Sequence, residues 1–303
     1  CAVQEGGCVS FQPPIIHVGY QKTGSTFLQQ EIFSNGDVFY TPWGEQSARA
    51  IEHFLLAHPA RFDAAQVRAE FKGAGTRMPV ISHEDLLGYP ILGRYYSELA
   101  LSRMAKAFPD AKILICMREQ ASMLLSQYFQ YIIQGGRLTL KEMLTNNLGR
   151  DGFRPLLRLD HFEYDLMHAT ACRYFPSEQV LLLPFELLRE DRELFVGSIL
   201  NFCGLEMDVP VPDRVVRKRR GAAALRVERF LNGVLPDPPI FPEDYKDYPL
   251  RVRARNRFVS LTDKVATKLG VGGGYTKTLQ AEIRAHVGDY FHQSNARTAE
   301  IIG

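Results

Sequence analysis

The sequence predicts an α/β fold three layers deep, with helices on both faces of a central, mostly parallel sheet and further helices at the C-terminus. Two observations carry that expectation. Four short runs rich in Ile, Val and Leu, at 15–19, 79–82, 112–117 and 179–184, are each followed by polar or turn residues, as strands buried on both faces are. Between them lie longer stretches with helical spacing, and strands alternating with helices build a right-handed parallel sheet. A chain of 303 residues with 46% apolar content can bury the core this requires.

In chain order, residues 1–14 form an N-terminal tail and 15–19 the first strand. Helical spacing then marks 25–34 and 64–72, before the second strand at 79–82 and a helix at 95–108. The third strand, 112–117, leads into a helix at 119–133. Another helix, 162–175, precedes the fourth strand, and 192–203 is helical again. Past residue 231 the character changes: "NGVLPDPPIFPEDYKDYP" is too rich in proline for regular structure and "GVGGGY" reads as a hinge. Residues 232–274 are therefore expected to be an irregular insertion, and 275–302 a C-terminal helix, within one domain spanning 15–303. In such a sheet ligands bind beyond the carboxyl ends of the strands. The residues to inspect are those just after each strand.

Composition excludes some partners. A net charge of +2, from 36 basic and 34 acidic residues, gives no broad field for nucleic acid, so a polyanion would have to be caught by a local pocket. No run of about 18 apolar residues predicts a membrane span, and no basic-then-apolar N-terminus predicts a retained signal peptide. The first residue is Cys1 rather than Met, as expected of a chain with residues upstream. Five widely spaced cysteines, Cys1, Cys8, Cys116, Cys172 and Cys203, suggest neither a disulfide framework nor a zinc ribbon, and point to a reducing compartment. His168 and Cys172, four apart on a helix, could share a metal, but no other ligands accompany them; the plainer reading is a pair of buried residues.

The stretch "HVGYQKTGSTFLQ", His17 to Gln29, joins the first strand to the first helix. A Walker-A loop is glycine, four residues, then glycine-lysine-serine/threonine. Gly19, Gly24 and Thr26 fit that P-loop-like pattern, but Ser25 stands where the lysine belongs and Lys22 lies two residues before Gly24. A glycine-rich strand-to-helix turn offers backbone N–H groups and the positive end of a helix dipole to an anion. Gly24 lets the backbone come close, and Ser25 and Thr26 add hydroxyls. Lys22, on the strand side of the turn, is placed to reach a leaving-group oxygen without a metal. A P-loop kinase or NTPase would need lysine after Gly24 and a metal-binding Asp ending a strand, for which only Glu84-Asp85 could stand in. A non-catalytic nucleotide-binding module would need neither Lys22 nor a base.

With its Lys-[Ser/Thr]-Gly-[Ser/Thr]-Thr-aromatic pattern, "YQKTGSTFLQ" resembles the 5′-phosphosulfate loop of sulfotransferases that use 3′-phosphoadenosine 5′-phosphosulfate (PAPS). Lys22, Thr23, Gly24, Ser25, Thr26 and Phe27 match it in turn. The resemblance implies that Lys22 neutralises charge on the bridging oxygen and that Phe27, replacing a common tryptophan, packs near adenine. "KILICMREQASMLLSQYF" is similar to the family's 3′-phosphate signature: Arg118 ends a strand and Ser126 follows eight residues later, so a guanidinium and a hydroxyl can meet one phosphate. Phe185, in "LLLPFELL", takes the place of an adenine-contacting tyrosine. "VVRKRRGAAALRVERFLN" resembles the segment that closes over the 3′-phosphate, with Arg219, Arg220 and Gly221 as its best match; a solvated basic face is an equal reading. "DYFHQSNARTAEIIG" looks like the tail of bacterial members.

After the second strand, "PVISHEDLLGYP" offers two bases. His83 stands where cytosolic members have a catalytic histidine, and Glu84 corresponds to the carboxylate of carbohydrate-acting and bacterial members. Only one can face the cleft if the chain is extended there, and both stay open at this point. So does the alternative that Glu84 and Asp85 merely open a helix. The resemblance implies sulfuryl transfer from PAPS to an acceptor hydroxyl, on a sugar or glycolipid. No metal and no nucleic-acid partner are expected, and the expected location is cytoplasmic or membrane-peripheral.

Overall fold

The computed structural model describes residues 12–145, 157–206, 221–235, 249–269 and 273–303. Among the described residues five strands form one sheet: β1 (Ile15–Gly19), β2 (Phe39–Tyr40), β3 (Met78–Ser82), β4 (Lys112–Met117) and β5 (Val180–Pro184), in the order β2-β3-β1-β4-β5. Every pairing is parallel, with Ile15 opposite Val80 on one side and Lys112 on the other. The period-2 alternation of a strand divides its side chains between two faces. Ile16, Val18, Ile81, Ile113, Ile115 and Leu182 join one core with Leu101, Met104, Leu124 and Phe162. Ile15, Val80, Leu114, Cys116 and Leu183 join another with Phe27, Leu28, Ile32, Phe195 and Ile199. Each fully buried aliphatic or aromatic side chain here contributes roughly 1.5–3 kcal/mol of transfer free energy, which is why the strands read as continuous apolar runs.

From β1 the chain moves to the β2/β3 side, then crosses back past β1 to β4 and β5. The carboxyl ends of β1 and β4 therefore flank the point where the strand order reverses, the crevice at which open α/β sheets bind ligands.

Helices Ser97–Ala107, Gln120–Ile133, Tyr164–Ala171 and Arg192–Cys203 lie where helical spacing predicts them. The helix expected at 25–34 starts as an α-turn, Ser25–Phe27, and widens into a π-helical segment, Leu28–Ile32. The helix expected at 64–72 is Ala64–Ala69, capped by the Asp63 carboxylate, followed by a 3₁₀ turn at Lys72–Ala74.

Two expectations need correction. Much of 232–274 is not irregular: helix Ala222–Val234 runs into it and helix Leu250–Lys268 fills 19 residues of it. The second helix packs on the first and buries Val252, Arg255, Val259 and Ala266 at helical spacing. Its buried stripe is narrow and contains an arginine, whose Nη1 donates to the Leu235 carbonyl at 2.9 Å, so apolar periodicity alone did not reveal it. The proline run 236–248 lies outside the described residues. The C-terminal segment 275–302 is two helices, Gly273–Val287 and His292–Ile302, separated at Gly288, whose φ of +49° ends the first one. The last helix docks through Asp165, which accepts hydrogen bonds from Ser294 and from Arg297 Nε, the latter at 2.5 Å. Asn295 and Gln120 exchange amide hydrogen bonds.

Candidate active site

Gly19 ends β1 with φ +115°, and a Cβ there would lie 2.4 Å from the Glu84 carbonyl oxygen. The loop that follows is thus pressed against the segment after β3. Gly19→Ala is expected to lower unfolding stability by about 3 kcal/mol or more, since both the backbone region and the contact forbid a side chain. A urea midpoint unchanged from wild type would refute this. Lys22 also has a left-handed backbone, φ +67°, and is exposed. Thr23 is buried and its hydroxyl donates to the Tyr20 carbonyl. At Gly24, φ +93°, a Cβ would meet Leu188 Cδ2 at 2.9 Å and the Phe185 ring at 3.3 Å. The Gly24 carbonyl accepts from the N–H groups of Phe27 and Leu28, closing the first turn. Ser25 Oγ is buried beside this turn without a hydrogen-bond partner among the described residues.

Arg118, directly after β4, faces that loop. Its Nη1 donates to the Lys22 carbonyl at 3.2 Å and to Ser126 Oγ at 3.0 Å, and its Nε is buried without a partner among the described residues. The guanidinium carbon lies 5.1 Å from the Phe185 ring centroid. Tyr164 holds the Arg118 backbone from below: its hydroxyl donates to the Arg118 carbonyl and accepts the Arg118 N–H. Tyr164 stands edge-on to Tyr20, which is buried and donates to the His161 carbonyl at 2.7 Å. Burial lowers the Arg118 pKa from its ordinary value. The spacing of eight residues thus brings the Arg118 and Ser126 side chains together beside the loop.

After β3 the chain turns rather than opening a helix. Gln29, one turn beyond Ser25, donates through Nε2 to Ser82 Oγ at 3.2 Å and to Glu84 Oε2 at 3.4 Å. His17 Nδ1 and Ser82 Oγ are 2.8 Å apart. Glu84 is thereby tied to the helix after the loop. His83 turns its Nδ1 to the Asp85 N–H at 3.1 Å. The Asp85 carboxylate accepts from Gln21 Nε2 at 2.8 Å; burial raises its pKa, partly offset by that hydrogen bond.

His17 is fully buried, and desolvation, opposed by the nearby Glu84 charge, lowers its pKa to about 4; desolvation does the same for His161. Both rings are neutral in the folded protein, whereas an unfolded histidine takes up a proton below its ordinary pKa of 6.5. Stability present above pH 6.5 should therefore be lost as pH falls toward 4, by up to about 3 kcal/mol per ring. Urea unfolding across that window tests this, and a flat profile would contradict it.

The remaining predicted residues divide. Phe185 lies against Arg118 and Gly24. Phe27 is buried in the core shared with Ile15, Leu28 and Phe195, with the Arg192 guanidinium 5.7 Å from its ring. Thr26 is half-buried in the first turn. Gly221 spends its N–H on Asp263 Oδ1 at 2.7 Å, so that amide is not offered to an anion; Arg219 and Arg220 lie outside the described residues. Cys172 Sγ lies 3.6 Å from the His168 ring nitrogens, with no third metal-binding residue clustered there among the described residues. Gln29, Tyr164 and Arg192 went unrecognised in the sequence. Gln29 alone had a signal, being four residues after Ser25 and so on the same helical face. A cavity of about 270 Å³ opens elsewhere, lined by Leu144, Leu157, Leu159, Tyr290 and the ion pair Arg158–Asp160, and contains none of these residues.

Residues 96–209, which include Arg118, Ser126 and Phe185, match the family described as "Sulfotransferase family". Over that stretch the chain is similar to the sulfotransferase family. It is an enzyme of the sulfuryl-transfer class. Among solved structures, this sulfotransferase is similar to a sulfotransferase from Alicyclobacillus acidocaldarius at 23% identity and a TM-score of 0.53, over 75% of this chain and 97% of that one. That likeness bears on the fold, an α/β sheet with surrounding helices. A sulfotransferase domain from the Synechococcus PCC 7002 olefin synthase matches at 12% identity, TM-score 0.42, over 90% and 95% of the two chains. A mouse sulfotransferase complexed with PAP matches at 12% identity, TM-score 0.38, over 91% of each. No curated protein matches the sequence. Among the described residues no helix is long and apolar enough to cross a membrane.

Proposed function

We propose that this sulfotransferase moves the sulfuryl group of PAPS to an acceptor hydroxyl at the β1/β4 crevice. The observation that carries this reading is the Arg118 guanidinium bonded at once to Ser126 Oγ and to the carbonyl of Lys22. It sets a guanidinium and a hydroxyl, the chemistry a phosphate takes, beside a lysine-bearing glycine loop. PAPS supplies an activated sulfuryl group with a good leaving phosphate. The residues fit such a co-substrate, because Ser25 Oγ and Arg118 Nε are buried polar atoms without a hydrogen-bond partner among the described residues. Lys22 and the Gly24–Thr26 turn hold the 5′ end, and the Lys22 amine meets charge that grows on the leaving oxygen. Arg118 and Ser126 hold the 3′-phosphate, and the Phe185 ring, packed on Arg118 and Gly24, supports the base.

Glu84 takes the acceptor proton. Its carboxylate is oriented by Gln29. Because His83 Nδ1 accepts the Asp85 N–H, a neutral His83 carries its proton on Nε2 and has no lone pair left for the acceptor. The acceptor class we propose is a sugar hydroxyl, free or on a glycolipid. Its support is the polar ground beyond Glu84, where Asp85, Arg94, Tyr89 and Tyr96 act on one another.

Two measurements test the reading. Desulfated nucleotide, 3′-phosphoadenosine 5′-phosphate, should raise the Tm without magnesium, while stabilisation only by ATP with magnesium would favour phosphoryl transfer. Glu84→Gln should lower kcat by about 10²–10⁴-fold, and His83→Ala far less; the reverse ranking would move the base to His83.

A further inference from the structure

Helix Leu250–Lys268 buries one face on the protein and turns a second apolar face to solvent. Leu250, Ala254, Phe258, Leu261, Val265 and, just past the last turn, Leu269 recur three or four residues apart and so form one stripe. All six are exposed, Leu250 by 76%, Leu269 by 69% and Leu261 by 60%. The helix it packs on, Ala222–Val234, also exposes Phe230 and Val234. Scattered exposed hydrophobic residues are ordinary in folded proteins, but a continuous line of them marks an interaction surface.

The charges on the same helix say what that surface meets. Arg251, Arg253, Arg255, Arg257, Lys264 and Lys268 stand against one acid, Asp263. Six cations less one anion leave +5 on 19 residues of a chain whose total is +2. Asp263 is already engaged by the Gly221 N–H, and Arg255 is buried against the Leu235 carbonyl. Arg253, Arg257, Lys264 and Lys268 fall along one edge of the apolar stripe in helical projection. Two-fold pairing with a second copy would set like rows of cations against each other, whereas anionic lipid headgroups complement them.

We propose that this face rests on an anionic lipid bilayer, with Leu250, Phe258, Leu261, Val265 and Leu269 entering the headgroup–acyl boundary and the arginine and lysine heads reaching the phosphates. A helix that is apolar along one stripe and cationic along its edge lies in the plane of the interface rather than across it. The surface is made of residues outside the Lys22–Arg118 site and stands whether or not PAPS binds there.

The test is co-sedimentation of the whole chain with large unilamellar vesicles. It should bind phosphatidylcholine vesicles containing phosphatidylglycerol, bind pure phosphatidylcholine far less, and release as salt rises. The double substitution Phe258→Asp/Leu261→Asp should cut binding by about tenfold or more, since it puts charge where the stripe enters lipid. Arg257→Ala, Lys264→Ala and Lys268→Ala should each weaken it by about fivefold. Far-UV circular dichroism checks that each variant keeps its fold, and the alanine series decides the matter if the aspartate pair does not. The proposal is overturned if the chain ignores anionic vesicles, or if folded variants bind them undiminished. It is also overturned if a vesicle-free dimer falls to monomers on Phe258→Asp/Leu261→Asp, which would give the face to a second copy.

Discussion

Lys22→Ala is expected to depress kcat by about 10²–10³-fold while changing affinity for 3′-phosphoadenosine 5′-phosphate by no more than about fivefold. The asymmetry follows from when the charge arises. The Lys22 backbone, not its amine, is what Arg118 holds, so the loop keeps its anchor when the side chain is cut back. What disappears, under the proposed reading, is an ammonium placed to meet negative charge developing on the leaving oxygen, an interaction stronger in the transition state than in the ground state. Single-turnover rates with PAPS, set beside calorimetric affinity for the desulfated product, separate the two quantities. Equal losses in both would make Lys22 a binding residue and leave the leaving group without its stabiliser.

Arg118→Ala is expected to do the opposite: nucleotide affinity should fall by about 100-fold, near 3 kcal/mol, with a smaller effect on the rate at saturation. Three things go with the guanidinium. The Ser126 hydroxyl loses its donor, the Lys22 carbonyl loses a hydrogen bond, and the Phe185 ring loses the cation packed on it. Arg118→Lys should recover little, because an ammonium cannot serve Ser126, the loop carbonyl and a phosphate with one planar fork. Affinity for the product nucleotide that survives Arg118→Ala unchanged would remove this residue from the site.

The residues explain which parts of this protein could be read from sequence. Strands β1, β3, β4 and β5 are covered on both faces, so nearly every position in them is apolar and the runs stand out. The two-residue β2 is too short to leave a period. Arg118 and Ser126 were legible because a strand end and the helix after it fix their separation, and the Gly24 turn because its positive φ and the close Leu188 and Phe185 side chains both favour glycine. Helix Leu250–Lys268 was hidden by its charge: a buried arginine interrupts its inner stripe and cations line its outer one. The Gln29–Glu84 contact, the Tyr164 prop under Arg118 and the Asn295–Gln120 pair join positions 55, 46 and 175 residues apart. Local pattern carries no information about such meetings, which exist only once the sheet has assembled.

The bond from Arg118 to the Lys22 backbone also bears on selectivity. One guanidinium spans the gap between the end of β4 and the turn after β1, so under the proposed reading the protein itself sets the opening between the groups that would grip the two charged ends of the nucleotide. A jaw fixed in this way gauges its occupant by length. A nucleotide whose two charged ends lie closer together or farther apart can engage one grip and must forgo the other.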